Sequence, residues 1–251
     1  MQHYFVDERD RAVGDIVTIT DPDTIKHLFS VMRLKENEAV VLVMRDATKF
    51  VARLLSVATA SFELIKELEE TVEMPIHVTI AMGFPKGDKL DYVAQKATEL
   101  GMAGLIGFPA ERSVVKWDTK KRRKKEEKLR KIVLGAAQQS QRNCLPVVTL
   151  LESRLPLEAA MQSADRVLVA YEEVAKEGEK SQFVTSLSQA HTGDKWVIII
   201  GPEGGLSPEE VAYFTEQGAR VMALGPRILR TETAPLYILS AISAHMELGD
   251  S

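Results

Sequence analysis

The chain has 251 residues, 45% of them apolar and 27% charged, with 15 Gly, 10 Pro and one cysteine. That is enough apolar material for a full core, which excludes disordered, collagen-like and disulfide-stapled classes and leaves one large α/β domain or two unequal domains. The formal charge of -4, taken as an average, argues against a nucleic-acid binder, because phosphate contacts require Lys and Arg. Cys144 alone forms neither an intrachain disulfide nor a cysteine-based zinc site, so a reducing cytoplasm is the expected setting. The opening MQHYFVDERD has no apolar h-region, and no stretch approaches the ~20 apolar residues of a membrane span. The protein is therefore expected to be neither secreted nor membrane-integral.

In chain order, residues 15–20 (DIVTIT), 39–45 (AVVLVMR) and 49–57 (KFVARLLSV) are rich in β-branched residues and read as strands, with a short helix over 24–34. From Met74 and Pro75 the pattern changes to apolar runs followed by amphipathic helices, the signature of βα units and a mainly parallel sheet. A boundary near KELEETVEMP divides the chain into residues 1–72 and 73–251. In the helix after Gly87, Asp88 is the expected N-cap. Leu90, Val93, Ala94, Ala97 and Leu100 share one face, and Gly101 supplies the stop. Ser207, Pro208 and Glu210 spell a capping box for a helix that Gly218 closes, and residues 234–248 form a final helix apolar on most faces.

Three features carry chemistry. Residues 112–142 hold 12 Lys and Arg against three acidic residues, a local net of +9 that leaves the remainder at -13. The run KKRRKK (120–125) reads either as a solvated helix face, with Glu126 pairing Arg130 at i+4, or as a phosphate-tracking surface. Arg112, Lys116 and Arg142 flank the run and extend the stripe, which favours the second reading. Next, the apolar strand of VIIIGPEGGLSPEE (197–210) ends in Gly201-Pro202-Glu203-Gly204-Gly205, at the edge where open α/β sheets place ligands. This turn lacks the Gly-Lys-Ser/Thr of a P-loop and the G-x-G-x-x-G of dinucleotide folds, so phosphates are not the expected handle, and a dehydrogenase is disfavoured. Finally, ARVMAL (219–224) runs into Gly225-Pro226-Arg227-Ile228-Leu229-Arg230-Thr231-Glu232. Two consecutive strands thus end in Gly-Pro loops, which a parallel sheet sets on one edge; they read either as tight structural connections or as a two-walled pocket with Ile228 and Leu229 as apolar lining. Arg230 and Glu232 read either as a loop salt bridge beside a capping Thr231 or as charges at the pocket's mouth. The five histidines (3, 27, 77, 191, 245) are scattered, so no metal is expected.

The strings KGDKLDYVAQKATELG (86–101), ERSVVKW (111–117), AAQQSQR (136–142), IGPEGGLSPEEV (200–211) and LGPRILRTETAPLYILSAI (224–242) resemble the RsmE family of ribosomal RNA methyltransferases, in the SPOUT superfamily. The resemblance spans nearly the whole chain, including RLK at 33–35. It implies an N-terminal PUA-like β-barrel joined to a SPOUT α/β domain with a C-terminal deep trefoil knot, which ordinary topology rules would not favour. It further implies a cytoplasmic homodimer that uses S-adenosyl-L-methionine (AdoMet) to methylate N3 of a uridine in 16S rRNA of the small ribosomal subunit. By position, the AdoMet pocket takes Val169 and Tyr171 from the strand at 167–171, then Gly201, Pro202 and Glu203, and then Leu224, Gly225, Ile228, Leu229 and Thr231.

Glu232 or Glu203 is the candidate base, with a brace for the knot loops as the equal alternative for Glu203, and Arg230 is the guanidinium that stabilises charge developing on uracil. Arg33, Lys35, Arg112, Lys116 and Arg142 are the candidate RNA contacts. The chain departs from the family pattern at His3, where arginine is usual, at Lys26, where a second histidine is common before His27, and at Asn37, where glycine is frequent. All three lie in the expected RNA-reading module. Rival readings are a non-catalytic RNA-binding assembly factor and a methyltransferase of another RNA, such as a tRNA ribose.

Overall fold

The computed structural model describes residues 1–173 and 182–248. It divides into two compact units, one of Met1–Glu73 with Ala137–Cys144 and one of Met74–Ala136 with Leu145–Ser251. The single boundary expected from sequence does not anticipate that residues 137–144 belong with the first unit.

In the first unit, β1 (His3–Phe5), β2 (Ile16–Thr18), β3 (Ala39–Val43), β4 (Lys49–Ser56) and β5 (Ser61–Leu68) form one sheet in the order β1-β3-β4-β5-β2. The β1–β3 pair is parallel and the others antiparallel. Alternation along β4 buries Phe50, Ala52 and Leu54 and exposes Arg53. The expected helix at 24–34 is shorter. Asp21 caps α1 (Pro22–Lys26) by accepting from the Thr24 N–H at 2.7 Å, and His27–Val31 continues as a π turn. The chain leaves that turn through Arg33 at φ 54°. Asn37, at φ 69°, holds a left-handed conformation that Asn tolerates, which accounts for its place where glycine is frequent.

A polar network secures residues 137–144 within this unit. The Arg142 guanidinium donates from Nε and Nη2 to Glu73 at 2.9 and 2.5 Å, and the Asn143 and Cys144 N–H groups donate to the same carboxylate. Lys49 Nζ donates to the Gln141 carbonyl at 2.8 Å. Burial alone would raise the Glu73 carboxyl, but the hydrogen bonds and charge of Arg142 hold it below its ordinary value.

From His77 onward strand and helix alternate: β6 (His77–Gly83), α2 (Lys89–Glu99), β7 (Gly104–Phe108), α3 (Thr119–Gln139, whose last three residues belong to the first unit), β8 (Val147–Leu150), α4 (Leu157–Gln162), β9 (Arg166–Ala170), α5 (Gln182–Ser188), β10 (Lys195–Ile200), α6 (Pro208–Glu216), β11 (Arg220–Met222) and α7 (Ala234–Glu247). The strands lie in the order β11-β9-β10-β6-β7-β8, and every pairing is parallel. Successive strand residues serve opposite faces. Ile80, Leu168 and Ile198 pack with Leu90, Val93, Ile238 and Ile242 on one side, while Ala81, Val169 and Ile199 pack with Met161 and Phe214 on the other.

Cap geometry follows the sequence at α6, where Ser207 and Glu210 form the full capping box. It does not at α2, where Asp88 makes no side-chain capping bond. Because all strands run one way, β6, β9, β10 and β11 end on one edge. There Ala170 stands in register with Ile200 on one side and Met222 on the other. The end of β9 therefore lies between the two Gly-Pro loops.

Breaking a buried ion pair by removing one partner costs about 3–5 kcal/mol. Glu73→Gln is accordingly expected to destabilise the protein by an amount near that range in urea unfolding at pH 7. The Glu73 contribution is present above its ordinary value of 4.5 and is lost as pH falls through its lowered folded value. The gap between wild type and variant should therefore close on acidification below pH 4.5, not above it.

Candidate active site

The two loops and the end of β9 enclose a cavity of about 1080 Å³, ample for a drug-sized ligand. The loops touch directly: the Thr231 hydroxyl donates to the Gly201 carbonyl at 2.6 Å, with Thr231 itself buried. Gly201 is required by packing, since a Cβ there would come within 2.7 Å of the Gly205 carbonyl carbon and the Leu206 nitrogen. Pro202 is seated against the end of β6, where a Cβ on Gly83 would meet its Cδ at 2.6 Å.

Nearly all the expected pocket residues converge on this cavity: Tyr171, Gly201, Pro202, Glu203, Leu224, Gly225, Ile228, Leu229 and Thr231 line it. Val169 is the exception. Its side chain is fully buried in the core, short of the sheet's carboxyl edge, and the cavity takes Ala170 from the end of β9 and Tyr171 after it. Ile228 lines the cavity but is 74% exposed, so it stands at the mouth.

The charged residues divide differently from expectation. Arg230 is exposed and lines the cavity. Glu203 accepts from the Lys86 N–H at 3.0 Å and forms an ion pair with Lys89 Nζ at 3.0 Å. Burial raises its carboxyl, but its own backbone N–H, Lys89 and the Lys86 N–H together hold it below its ordinary value. Glu232 turns its carboxylate to the same ammonium, 3.1 Å away. Both candidate bases are therefore held by one lysine that the sequence pattern does not single out. The one signal it offers is position: a cation at the first turn of a helix opposes the helix dipole.

The candidate RNA contacts are also sorted by the structure. Arg33 and Lys35 are exposed in the first unit, and Lys116, Lys120, Lys121, Arg123 and Lys124 are exposed in the second. Arg112 is at the cavity rim, where its Nη1 donates to the Gly204 carbonyl at 3.3 Å. Arg142 is a correction. It is 2% exposed and locked to Glu73, so it serves the interior of the first unit and not a phosphate-facing stripe. His3 is likewise buried, at 7% exposure, which removes that departure from any exposed reading surface. Within α3 the Glu126–Arg130 pair forms at 2.6 Å, and Lys125 lies over Trp117.

The lining chemistry suits a zwitterion with apolar bulk. Lys89, Arg112 and Arg230 supply positive charge, Glu172, Glu173 and Glu203 negative, and Ile200, Leu206, Leu224 and Leu229 the apolar surface. AdoMet, with an amino-acid end, a sulfonium and an adenosine, has that character, so the residues present fit it.

A parallel sheet with a ligand cavity at its carboxyl edge is the arrangement in which open α/β folds bind their ligands, and similarity to known proteins places this one among RNA methyltransferases. Residues 72–243 match the family model described as an RNA methyltransferase domain, and residues 19–66 match that of an RNA methyltransferase PUA domain. The chain is 44% identical over 251 residues to ribosomal RNA small subunit methyltransferase E of Bacillus subtilis, covering 99% of this chain and 98% of that one. It is 30% identical to the Mycobacterium bovis protein of the same name, over 90% and 86% of the two chains. Its structure is similar to that of ribosomal RNA small subunit methyltransferase E from Neisseria gonorrhoeae bound to S-adenosyl methionine, with a TM-score of 0.77, 26% identity and 97% of each chain covered. The chain belongs to the ribosomal RNA small subunit methyltransferase E (RsmE) family.

Thr231→Val removes the donor and leaves a buried carbonyl unpaired, a cost of about 1–3 kcal/mol. A lowered melting temperature is expected without any ligand. Gly201→Ala, which drives a Cβ into backbone, should lower it as well, by about 1–3 kcal/mol of stability.

Proposed function

We propose that this protein is an AdoMet-dependent methyltransferase acting on N3 of a uridine in 16S rRNA of the small ribosomal subunit. It works in the cytoplasm as a homodimer, and its C-terminal loops form a deep trefoil knot. The observation that carries this reading is the zwitterion-compatible cavity between two Gly-Pro loops pinned by Thr231 to Gly201. Full-length similarity to RsmE proteins supports it. Among the described residues, no helix is long and apolar enough to cross a membrane.

AdoMet supplies a methyl group already activated on a sulfonium, so the chain needs no nucleophile of its own. Gly201, Pro202, Leu224, Gly225, Leu229 and Thr231 would hold it. Arg230, exposed beside the cavity, stabilises the negative charge that builds on a uracil carbonyl oxygen as N3 gives up its proton to solvent water at the exposed mouth. Glu203, held as a carboxylate by Lys89 and two backbone N–H groups, is a poor proton acceptor and serves as a brace. Glu232, paired with the same lysine, joins it in that role. The target base has to leave its stack to reach an edge pocket, which favours unpaired or loop RNA.

Arg230→Ala is expected to lower methyl transfer about 10²–10³-fold while calorimetry still shows AdoMet binding. Turnover equal to wild type removes Arg230 from the mechanism. Nucleoside mass spectrometry of 16S rRNA from cells with and without the protein tests the product directly. Loss of N3-methyluridine supports the reading, whereas loss of a ribose methylation on tRNA supports its rival, and a protein that gives no heat with AdoMet is a binding factor. Changing Lys120, Lys121, Arg123 and Lys124 to Gln should flatten the salt dependence of RNA binding, by about 0.7 in the log–log slope for each phosphate no longer neutralised. AdoMet affinity should stay the same.

A further inference from the structure

Lys89 occupies an unfavourable place. It is the first residue of α2, where the helix dipole disfavours a cation, and Asp88 before it provides no side-chain cap. The same ammonium reaches Glu203 of the first Gly-Pro loop at 3.0 Å and Glu232 of the second at 3.1 Å, and Lys89 lines the cavity. The Lys86 N–H adds a further bond to Glu203 from the turn that leads into α2. Three segments far apart in sequence thus meet at one charge: the start of α2, residues 201–205 and residues 230–232.

The two carboxylates lie within one ammonium's reach of each other, so without the cation they repel across the two walls of the pocket. All three side chains are only partly exposed, at 30%, 26% and 19%, so water does not fully screen that repulsion. Thr231, between Arg230 and Glu232, bonds the same first loop at Gly201. The clamp and the hydroxyl bond therefore fix the second loop from two sides, and Arg230 projects from the segment so held.

We propose that Lys89 is a positioning residue that holds the two walls of the methyl-donor pocket at binding distance by bridging Glu203 and Glu232. The inference rests on the AdoMet reading given above. It assigns Lys89 no contact with a reacting atom: the lysine acts through Glu232 and the loop that carries Arg230 and Thr231.

The test is a double-mutant cycle read by calorimetric AdoMet binding, with unliganded melting as a check on folding. Wild type is measured first, and if it shows no AdoMet binding the functional reading fails before the clamp is tested. Given binding, Lys89→Met is expected to weaken AdoMet affinity about tenfold or more, and Lys89→Arg to stay within about threefold of wild type. Glu232→Gln should weaken binding in the wild-type background but strengthen it in the Lys89→Met background, because there it relieves repulsion. That reversal of sign is something a merely structural lysine does not produce. Lys89→Gln is carried in parallel, so that a poorly folding Met variant does not decide the result. Lys89→Met and Lys89→Gln binding as wild type does, or Glu232→Gln having the same effect in both backgrounds, overturns the clamp.

Discussion

The Thr231 hydroxyl bond to the Gly201 carbonyl is the interaction on which the site depends. It is short, it is buried, and it joins loops thirty residues apart in sequence. Strand order sets up the meeting: β9 lies between β10 and β11, and Ala170 is level with Ile200 and Met222. Parallel direction then obliges both loops to emerge on the same edge. The cavity is what remains between two loops brought that close, and the glycine at 201 is what lets the first turn back on itself so tightly.

Charge around the cavity is arranged to hold walls as much as to meet ligand. Glu203 and Glu232 converge on Lys89, and the Arg112 guanidinium reaches the carbonyl of Gly204. Arg230 remains exposed at the cavity. A group already committed to an internal ion pair is a poor agent for chemistry, since using it means breaking the pair. Under the proposed reading the two glutamates therefore serve as supports, and Arg230 is the group proposed to meet the substrate. The first unit applies the same principle to its own interior, where Glu73 gathers Arg142 and the N–H groups of Asn143 and Cys144.

Much of the architecture is legible in the residue pattern. The switch at Met74 from short strands to strand-helix alternation marks the parallel sheet, the capping box at Ser207 forms as spelled, and Gly101 ends α2 at φ 91°. The strand β5 is hidden because Glu63, Lys66 and Glu67 interrupt its apolar pattern. One extra residue at Ile65, where the register with β4 shifts, disturbs the alternation further. Arg142 misleads for a related reason: a basic residue at the end of a basic run looks like part of the run, and its partner Glu73 lies far away in sequence.

Some features are local, and the order of residues along the chain is enough to set them: which segments bury a face, where helices begin and end, that two Gly-Pro loops follow consecutive strands, and that the net charge of -4 conceals a +9 stretch. Those follow from propensity, periodicity and counting, which act over a few residues. Folding in three dimensions settled which charges are already engaged. It buried Arg142, kept Val169 inside the core while Ala170 and Tyr171 reach the cavity, and gathered Glu203 and Glu232 onto Lys89. An ion pair is set by distance in space, and for segments as far apart in the chain as Lys89 and Glu203 only the folded sheet brings that distance down to 3.0 Å.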